Sequence, residues 1–138
     1  MEPTLHHIGY VVASIPDIAE KFAQSIHAEW DGRIVHDEFQ GVYVTFFANR
    51  AVREQAMVEL VAPADENSPV TNFLKKGGGL HHFCFEVDDL AQQLRDAQQQ
   101  GAIVVRKPLP AAAFENRRIG WVYTPEKLLV EYLERQPR

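Results

Sequence analysis

Histidine and glutamate recur in both halves of this chain at matching places, and together they have the chemistry of metal ligands. The stretch Leu5-His6-His7-Ile8 returns as Leu80-His81-His82-Phe83, and Val58-Glu59-Leu60-Val61 returns as Val130-Glu131-Tyr132-Leu133. Both motifs return after about 75 residues, which is the pattern of an internal duplication. Each half therefore carries a histidine on its first apolar strand and a glutamate on its last.

Strand periodicity separates the two histidines of each pair. Side chains on a regular strand alternate between its two faces. His7 and His82 are the proposed ligands. His6 and His81 precede them and are expected to point to the opposite face, as structural or supporting residues.

Glu59 and Glu131 are each flanked by apolar strand residues. One isolated glutamate of this kind would more often face water, but the symmetric recurrence favours burial against a cation. Two imidazoles and two carboxylates suit one divalent ion such as Co, Ni, Zn, Mn or Fe(II). Because such a set leaves coordination positions for water and substrate, it is typical of a catalytic metal rather than a structural one.

Composition limits the other functions. The 138 residues are 46% hydrophobic, with a net charge of −5 and a pI of about 5.6. This balance argues against binding to nucleic acid or to an anionic membrane, and no apolar run is long enough to span a bilayer. Cys84 is the single cysteine, so no intramolecular disulfide can form and a cytoplasmic location is expected.

The first half predicts the order β-α-β-β-β. An amphipathic helix over residues 15–27 follows Ser14, because apolar residues recur there at helical spacing. The predicted strands are residues 5–12, 30–35, 41–48 and 57–61. A polar linker then leads to a short helix that begins at Ser68-Pro69, where proline suits the first helical position, and that stops at the glycines 77–79.

The second half predicts the same order. Asp88-Asp89 opens its helix and Gly101 ends it. The predicted strands are residues 80–87, 103–105, 118–123 and 128–133, the last two joined by a turn at 124–127. Residues 108–116, which include Pro108 and Pro110, are expected to form a mobile loop.

With these motifs the chain resembles the vicinal oxygen chelate superfamily, which includes glyoxalase I, methylmalonyl-CoA epimerase, extradiol dioxygenases and the bleomycin- and fosfomycin-resistance proteins. The resemblance implies an α+β fold in which two tandem βαβββ modules form a cupped, open-barrel mixed sheet around a metal cleft. It implies one domain over residues 1–138, with module one at 1–63, the linker and short helix at 64–79, and module two at 80–138. It also implies a homodimer.

The segment Val58–Leu90, VELVAPADENSPVTNFLKKGGGLHHFCFEVDDL, resembles methylmalonyl-CoA epimerase most. The resemblance implies a metal-dependent enzyme that abstracts a proton next to a carbonyl while the metal stabilises the enolate. Glu131 is the expected base, since a metal-bound carboxylate can swing free. The ligands carried over from the superfamily are His7, Glu59, His82 and Glu131.

Two departures from the epimerases bear on function. Their second catalytic glutamate falls on Val44 here, and Asp37 or Glu38 could replace it only if the strand register is shifted. At Glu59 the epimerases most often have glutamine. The resulting ligand set resembles bacterial glyoxalase I, although the Asp-Pro-Asp-Gly turn of that enzyme is replaced by residues 124–127, Thr-Pro-Glu-Lys.

The expected substrate is an acyl-CoA or another chelating carbonyl acid. Arg118, beside Arg117, is a candidate for holding a carboxylate or a CoA phosphate, and Val44 and Trp121 are expected to face the substrate. Two alternatives stay open. One is a glyoxalase-I-like lyase acting on a hemithioacetal, and the other is a non-catalytic protein that binds a small molecule, as the resistance proteins do.

Overall fold

Nine strands form one mixed, open sheet in the computed structural model of the chain, which describes residues 1–49, 51 and 55–136. The strands are β1 (Thr4–Val11), β2 (Glu29–Trp30), β3 (Val35–Asp37), β4 (Val42–Ala48), β5 (Met57–Pro63), β6 (Gly79–Val87), β7 (Ile103–Ala111), β8 (Arg117–Tyr123) and β9 (Leu129–Glu134). The helices are α1 (Ile15–Ser25), α2 (Thr71–Lys75) and α3 (Leu90–Gln99), with a 3₁₀ helix at Ala112–Phe114.

The sheet shows the duplication directly. Its order is β2-β4-β5-β1-β6-β9-β8-β7, with β3 also paired to β4. The pair β1–β5 is parallel in the first half, and β6–β9 is parallel at the equivalent place in the second. The antiparallel pair β1–β6 joins the halves at the centre. The predicted cupped sheet of two βαβββ units is therefore confirmed.

Helices α1 and α3 cover the outer face of the sheet. Helix α1 buries Ile15, Ala19 and Ala23 against a cluster that contains Phe47 and Leu60. Helix α3 packs in the same way on its own module through three buried residues, Leu90, Leu94 and Ala97. Each fully buried Leu or Ile stabilises the fold by about 1.5–3 kcal/mol. Because both helices lie on the outer face, the inner face is left to form the site.

The ends of the helices agree only in part with those predicted from the sequence. The Asp89 carboxylate accepts a hydrogen bond from the backbone N–H of Gln92, as expected for the residue that opens α3. Helix α1 ends at Ser25, two residues earlier than predicted. The prediction that α2 begins at Ser68-Pro69 is wrong, because the helix begins at Thr71 and residues 68–70 form a turn.

The prediction of one strand over residues 30–35 is wrong. Two short strands, β2 and β3, take its place and both pair with β4. Between them Asp31 accepts a hydrogen bond from the N–H of Arg33, and Gly32 adopts a φ of 82°. A side chain that bonds the backbone two residues on, next to a glycine of positive φ, forms a turn and interrupts a strand.

The prediction of a loop over residues 108–116 is also wrong for residues 108–111, which belong to a strand. Strand β7 continues to Ala111 through Pro108 and Pro110, since it is an edge strand that pairs only with β8. Proline is tolerated at such an edge because its missing N–H is not needed by a second neighbour. The chain then turns through the 3₁₀ helix and two left-handed residues, Glu115 and Asn116. Among the described residues, no helix is both long and apolar enough to cross a membrane.

Candidate metal centre

The four central strands place the four predicted ligands at one point on the inner face. Across the β1–β6 pair, His82 lies opposite Gly9, and across β1–β5 the same glycine lies opposite Glu59. In the second module Cys84 takes the equivalent position, opposite both His7 and Glu131. The duplicated registers thus bring one histidine and one glutamate from each half together.

The four side chains approach one another closely. The Nε2 atoms of His7 and His82 are 3.1 Å apart. An Oε1 atom of Glu59 lies 3.3 Å from each of these nitrogens, and Oε1 of Glu131 lies 3.1 and 3.5 Å from them. No more than 5% of any of these residues is exposed. The four side chains that the sequence predicted to meet therefore do lie together.

The cluster fits a divalent ion. An ion bound at about 2.0–2.2 Å to two neighbouring ligand atoms holds those atoms about 3.0–3.5 Å apart, which matches the observed separations. Oε1 of Glu131 has no hydrogen-bond partner among the described residues, although it is fully buried beside two imidazoles. A buried carboxylate oxygen without a hydrogen bond is costly unless a cation satisfies it.

Without an ion, protons on the imidazoles would supply the positive charge that balances the two carboxylates. Burial alone would lower the pKa of His7 and His82, but the two carboxylates raise both pKa values above the usual range. Burial alone would raise the pKa of Glu59 and Glu131, but the imidazoles hold both pKa values low. The cluster is therefore a set of imidazolium and carboxylate pairs, and an ion that bound there would displace their protons.

Metal affinity is accordingly expected to rise with pH over the range below the raised imidazole pKa values. While both imidazoles are protonated, each ion would release about two protons, so affinity would change by about 100-fold per pH unit. Calorimetric titration in two buffers of different ionisation enthalpy measures this proton count. An affinity that does not change between pH 6 and pH 8 would contradict the assignment.

His6 and His81 do not point to the opposite face, so that prediction is wrong. The β1–β6 register shifts between Leu5 and His7 and again between Gly9 and Tyr10, which leaves His6 and His81 as bulge residues. A bulge redirects a side chain, and each of these imidazoles contacts the proposed ligand histidine that follows it. Burial lowers the pKa of His6 and takes the pKa of His81 to about 4, so both are neutral at pH 7.

The imidazole ring of His82 packs directly against Gly9, where any side chain would overlap it. A Cβ atom at position 9 would fall against the imidazole ring of His82, 2.6 Å from its Nε2. We expect Gly9→Ala to cost about 1–3 kcal/mol in the free energy of unfolding and to weaken metal binding, because the ring must move away. Urea unfolding and metal titration measure the two effects.

Gly120→Ala provides the control for this substitution. Gly120 is also a strand glycine, but a Cβ atom there would meet the flexible side chain of Leu94 on the outer face. This variant should retain wild-type metal affinity. Equal metal affinity in the Gly9 and Gly120 variants would show that His82 is not held against Gly9 as described.

A cavity of about 250 Å³ opens above the cluster. Glu59, His82 and Glu131 lie among its lining residues. The rest of the wall is largely apolar and includes Val42, Val61, Val70, Phe114 and Ile119. A small-molecule site commonly has this form, an apolar pocket with a few convergent polar groups.

The residues predicted to contact substrate fall in different places. Trp121 lines the cavity, and its ring lies 4.8 Å from that of His82. Val44 is buried in the core beside the cavity and is not among its lining residues. Arg118 lies away from the cavity on the surface, where its guanidinium forms two hydrogen bonds to the carboxylate of Glu134.

Three more polar residues line the cavity. The sequence pointed to Asp37 only for a shifted strand register, and it gave no sign of Gln40 or Arg106. Asp37 is 2% exposed and accepts hydrogen bonds from the N–H groups of Gln40 and Ala113. The side-chain amide of Gln40 donates to Pro110 O, and the Arg106 guanidinium donates to Gln40 Oε1. These bonds tie the end of β3 to β7 and close the cup. The sequence signal for Asp37 is the alternation Val35-His36-Asp37, which places it on the face opposite exposed His36.

The fold and the cluster of two histidines and two glutamates define a class of proteins. The chain belongs to the glyoxalase/bleomycin resistance protein/dioxygenase superfamily, whose sequence profile matches residues 6–121. The family predicted from the motifs is thereby confirmed.

Individual relatives include epimerases. The chain is 30% identical over 103 residues to the ethylmalonyl-CoA/methylmalonyl-CoA epimerase of Cereibacter sphaeroides, an alignment that covers 73% of each protein. It is 33% identical over 136 residues to YqjC of Bacillus subtilis, an uncharacterized protein, covering 94% of this chain and 91% of that one. The crystal structure of methylmalonyl-CoA epimerase from Mycobacterium tuberculosis superposes with a TM-score of 0.74 at 28% identity, covering 96% of this chain and 88% of that one.

Proposed function

We propose that this protein is a metal-dependent, epimerase-like isomerase that removes and returns a proton next to the carbonyl of an acyl-CoA or a similar carbonyl acid. The observation that supports this most is the cluster of two imidazoles and two carboxylates at the base of an apolar cavity. The similarity to acyl-CoA epimerases supports the substrate class.

His7, Glu59, His82 and Glu131 would hold the ion. A bound divalent cation supplies Lewis-acid stabilisation of the negative charge that develops on a substrate oxygen when the neighbouring proton leaves. The apolar wall limits water, which strengthens every electrostatic interaction in the cavity. The chain itself must bind the substrate and move the proton.

Glu131 is the proposed base. Its carboxylate lines the cavity, and its Oε1 lies 3.1 Å from Nε2 of His7, where the ion would bind. The imidazoles keep the pKa of Glu131 low, so this side chain is an ionised carboxylate. A positioned general base contributes about 10²–10⁴-fold to such a reaction.

Asp37 is the proposed proton donor on the other side of the substrate. Strand β3 pairs Asp37 with Val42 and Val35 with Val44, and this register places Asp37 at the cavity wall while Val44 lies in the core. A carboxyl group there, protonated from solvent, could give its proton to the face away from Glu131, and Glu131 would release the substrate's proton to solvent. Epimerisation would then not require a carboxylate at position 44.

Asp37→Asn is therefore expected to separate two activities. Inversion of the substrate should fall by about 10²-fold or more, while exchange of the α-proton that faces Glu131 continues. Proton NMR measures the exchange, and chiral analysis of the acid after hydrolysis measures the inversion. The neighbouring carboxylate variant Glu38→Gln, at an exposed turn position, should retain both activities. Unchanged inversion in Asp37→Asn would remove Asp37 from the mechanism.

Arg106 is the proposed anchor for an anionic group of the substrate. It is half-buried at the cavity wall, and one of its N–H groups is bonded to Gln40. Guanidinium groups bind carboxylate and phosphate well because several N–H donors remain available. Arg106 replaces Arg118 in this role, since the latter is held by Glu134 outside the cavity.

The direct test of the function is exchange of the α-proton in heavy water. The purified protein loaded with Co(II) or Ni(II) is mixed with methylmalonyl-CoA, and the α-hydrogen is followed by NMR. Exchange at a catalytic rate that needs the metal is the expected result. No exchange by protein that demonstrably contains metal would remove this substrate and the epimerase assignment.

A glyoxalase-like lyase is the second candidate, because both proposed carboxylate ligands are glutamates that lie within 3.5 Å of an imidazole nitrogen. Turnover of methylglyoxal with a thiol would favour this activity over epimerisation. Ligand binding without turnover of either substrate would instead favour the non-catalytic alternative.

The remaining predictions rest on the family resemblance and the composition. We propose a single domain over residues 1–138 with the module boundaries given above, of which residues 50, 52–54 and 137–138 lie outside the described part. We also propose a homodimer and a cytoplasmic location. Light scattering and cell fractionation test the last two.

A further inference from the structure

Each candidate ligand histidine is in contact with a second histidine. Nδ1 of His6 lies 2.8 Å from Nδ1 of His7, and Nδ1 of His81 lies 2.8 Å from Nδ1 of His82. The same pair, with the same two atoms at the same distance, therefore occurs once in each module. A feature present in both halves of a duplicated site is explained better by a shared role than by chance packing.

The backbone is shaped to make these contacts. In a regular strand, neighbouring side chains point to opposite faces, so adjacent imidazoles would not meet. A bulge at His6 in β1 and another at His81 in β6 turn these residues toward the ligand side. Bulges cost regular ladder hydrogen bonds and are common next to active sites.

Aromatic neighbours hold both supporting rings. The ring of His6 lies edge-on to Phe114 at 5.4 Å, and the ring of His81 lies edge-on to Phe73 at 4.8 Å. Edge-on contacts at these distances are favourable for aromatic rings. The supporting imidazoles are therefore held in place rather than free to rotate into solvent.

The two short contacts determine the position of one proton each. A neutral imidazole has one N–H and one unprotonated nitrogen, so in each pair one Nδ1 donates and the other accepts. His7 and His82 direct Nε2 toward the cluster, and a nitrogen that binds a metal must be unprotonated. Their proton must then lie on Nδ1, 2.8 Å from Nδ1 of the neighbouring histidine, which is placed to accept it.

We infer that His6 and His81 are positioning residues that accept this hydrogen bond and fix His7 and His82 in the tautomer whose Nε2 can bind metal. This inference depends on the metal centre of the proposed function. It adds that the centre has six functional histidines and glutamates, four that touch the ion and two that orient the imidazole ligands. Second histidines of this kind raise affinity by removing the alternative tautomer and ring orientation.

The first test reads the tautomers in zinc-loaded protein labelled with ¹⁵N at histidine. Long-range proton–nitrogen correlation spectra distinguish an imidazole protonated at Nδ1 from one protonated at Nε2. The expected result is Nδ1–H in His7 and His82, and Nε2–H in His6 and His81. Protons on Nδ1 of His6 and His81 would overturn the inference.

The second test uses matched substitutions at the supporting positions. Asparagine places Oδ1 as far along the side chain as histidine Nδ1 and so keeps an acceptor, whereas leucine has none. Zinc affinity, measured by competition with a chelating dye, is expected to fall about 10–100-fold in His6→Leu and in His81→Leu, and only about threefold in His6→Asn and His81→Asn. Unfolding of the metal-free variants shows whether each is folded.

The outcomes separate the inference from the proposed function. Equal zinc affinity in the leucine variants and the wild type would overturn the inference and leave the metal centre intact. Equally weak binding by leucine and asparagine variants would also overturn it, since the acceptor would then have no effect. Failure of the wild-type protein to bind any divalent ion would overturn both.

Discussion

Glu131→Gln is expected to lower α-proton exchange by about 10²–10⁴-fold, the largest effect on activity of any single substitution in the site. An amide oxygen can still bind a metal ion, but it cannot accept the substrate proton. Glutamine has the same size and planar terminal group as glutamate, so the fold should persist. Exchange of the α-proton of methylmalonyl-CoA in heavy water measures the loss.

Glu59→Gln is the matched control, because the duplication places the two glutamates at equivalent positions. Glu59 lies 3.3 Å from both ligand nitrogens, and a glutamine at this position should still bind the ion. We expect its exchange rate to stay within about tenfold of the wild-type rate, since the proposed base is intact. Metal content must be measured in both variants. Full exchange by metal-loaded Glu131→Gln would show that another group removes the proton.

His82→Ala is expected to have the largest effect on metal binding. The substitution removes one of four buried ligands, so the loss of affinity should exceed the 10–100-fold that loss of a ligand's hydrogen-bond partner costs. An ion at about 100 times its dissociation constant stabilises the wild-type fold by about 2.7 kcal/mol. Thermal unfolding with and without metal should show this stabilisation in the wild type and little or none in the variant.

His36→Gln is the control for that experiment. His36 is exposed and stacks on Tyr43 at 4.6 Å, away from the cavity. This variant should be stabilised by metal as much as the wild type. If His82→Ala were stabilised equally, the ion would be bound elsewhere on the protein.

The duplication made the fold and the meeting of the four side chains predictable from the sequence. Matching motifs in two halves require matching places in two modules, and the central β1–β6 pair then brings the modules together. The helices were predictable because α1 and α3 bury residues at regular helical spacing. These features depend on periodicity, which can be read directly from one sequence.

Features that break periodicity were not predictable. The alternation rule placed His6 and His81 on the wrong face, because a bulge adds one residue and its position depends on the partner strand. The turn at Asp31 and Gly32 interrupted a stretch whose residues otherwise favour a strand. Pro108 and Pro110 suggested a loop, but they are compatible with an edge strand.

Contacts between distant residues explain the rest of the site. The hydrogen bonds from Gln40 to Pro110 and from Arg106 to Gln40 join residues 66 to 70 positions apart. No local pattern identifies such partners. These bonds link the turn after β3 to β7 at the wall of the cavity, where Gln40 and Arg106 both lie.

Anomalous diffraction from crystals grown with Co(II) or Zn(II) would locate the bound ion directly. One strong peak is expected at about 2.0–2.2 Å from Nε2 of His7 and His82 and from one carboxylate oxygen of Glu59 and of Glu131. Such a peak would establish that the duplicated motifs build one metal centre. If the ion in a fully loaded crystal lay elsewhere, or were bound by fewer than three of these four residues, the four residues would not form the metal site.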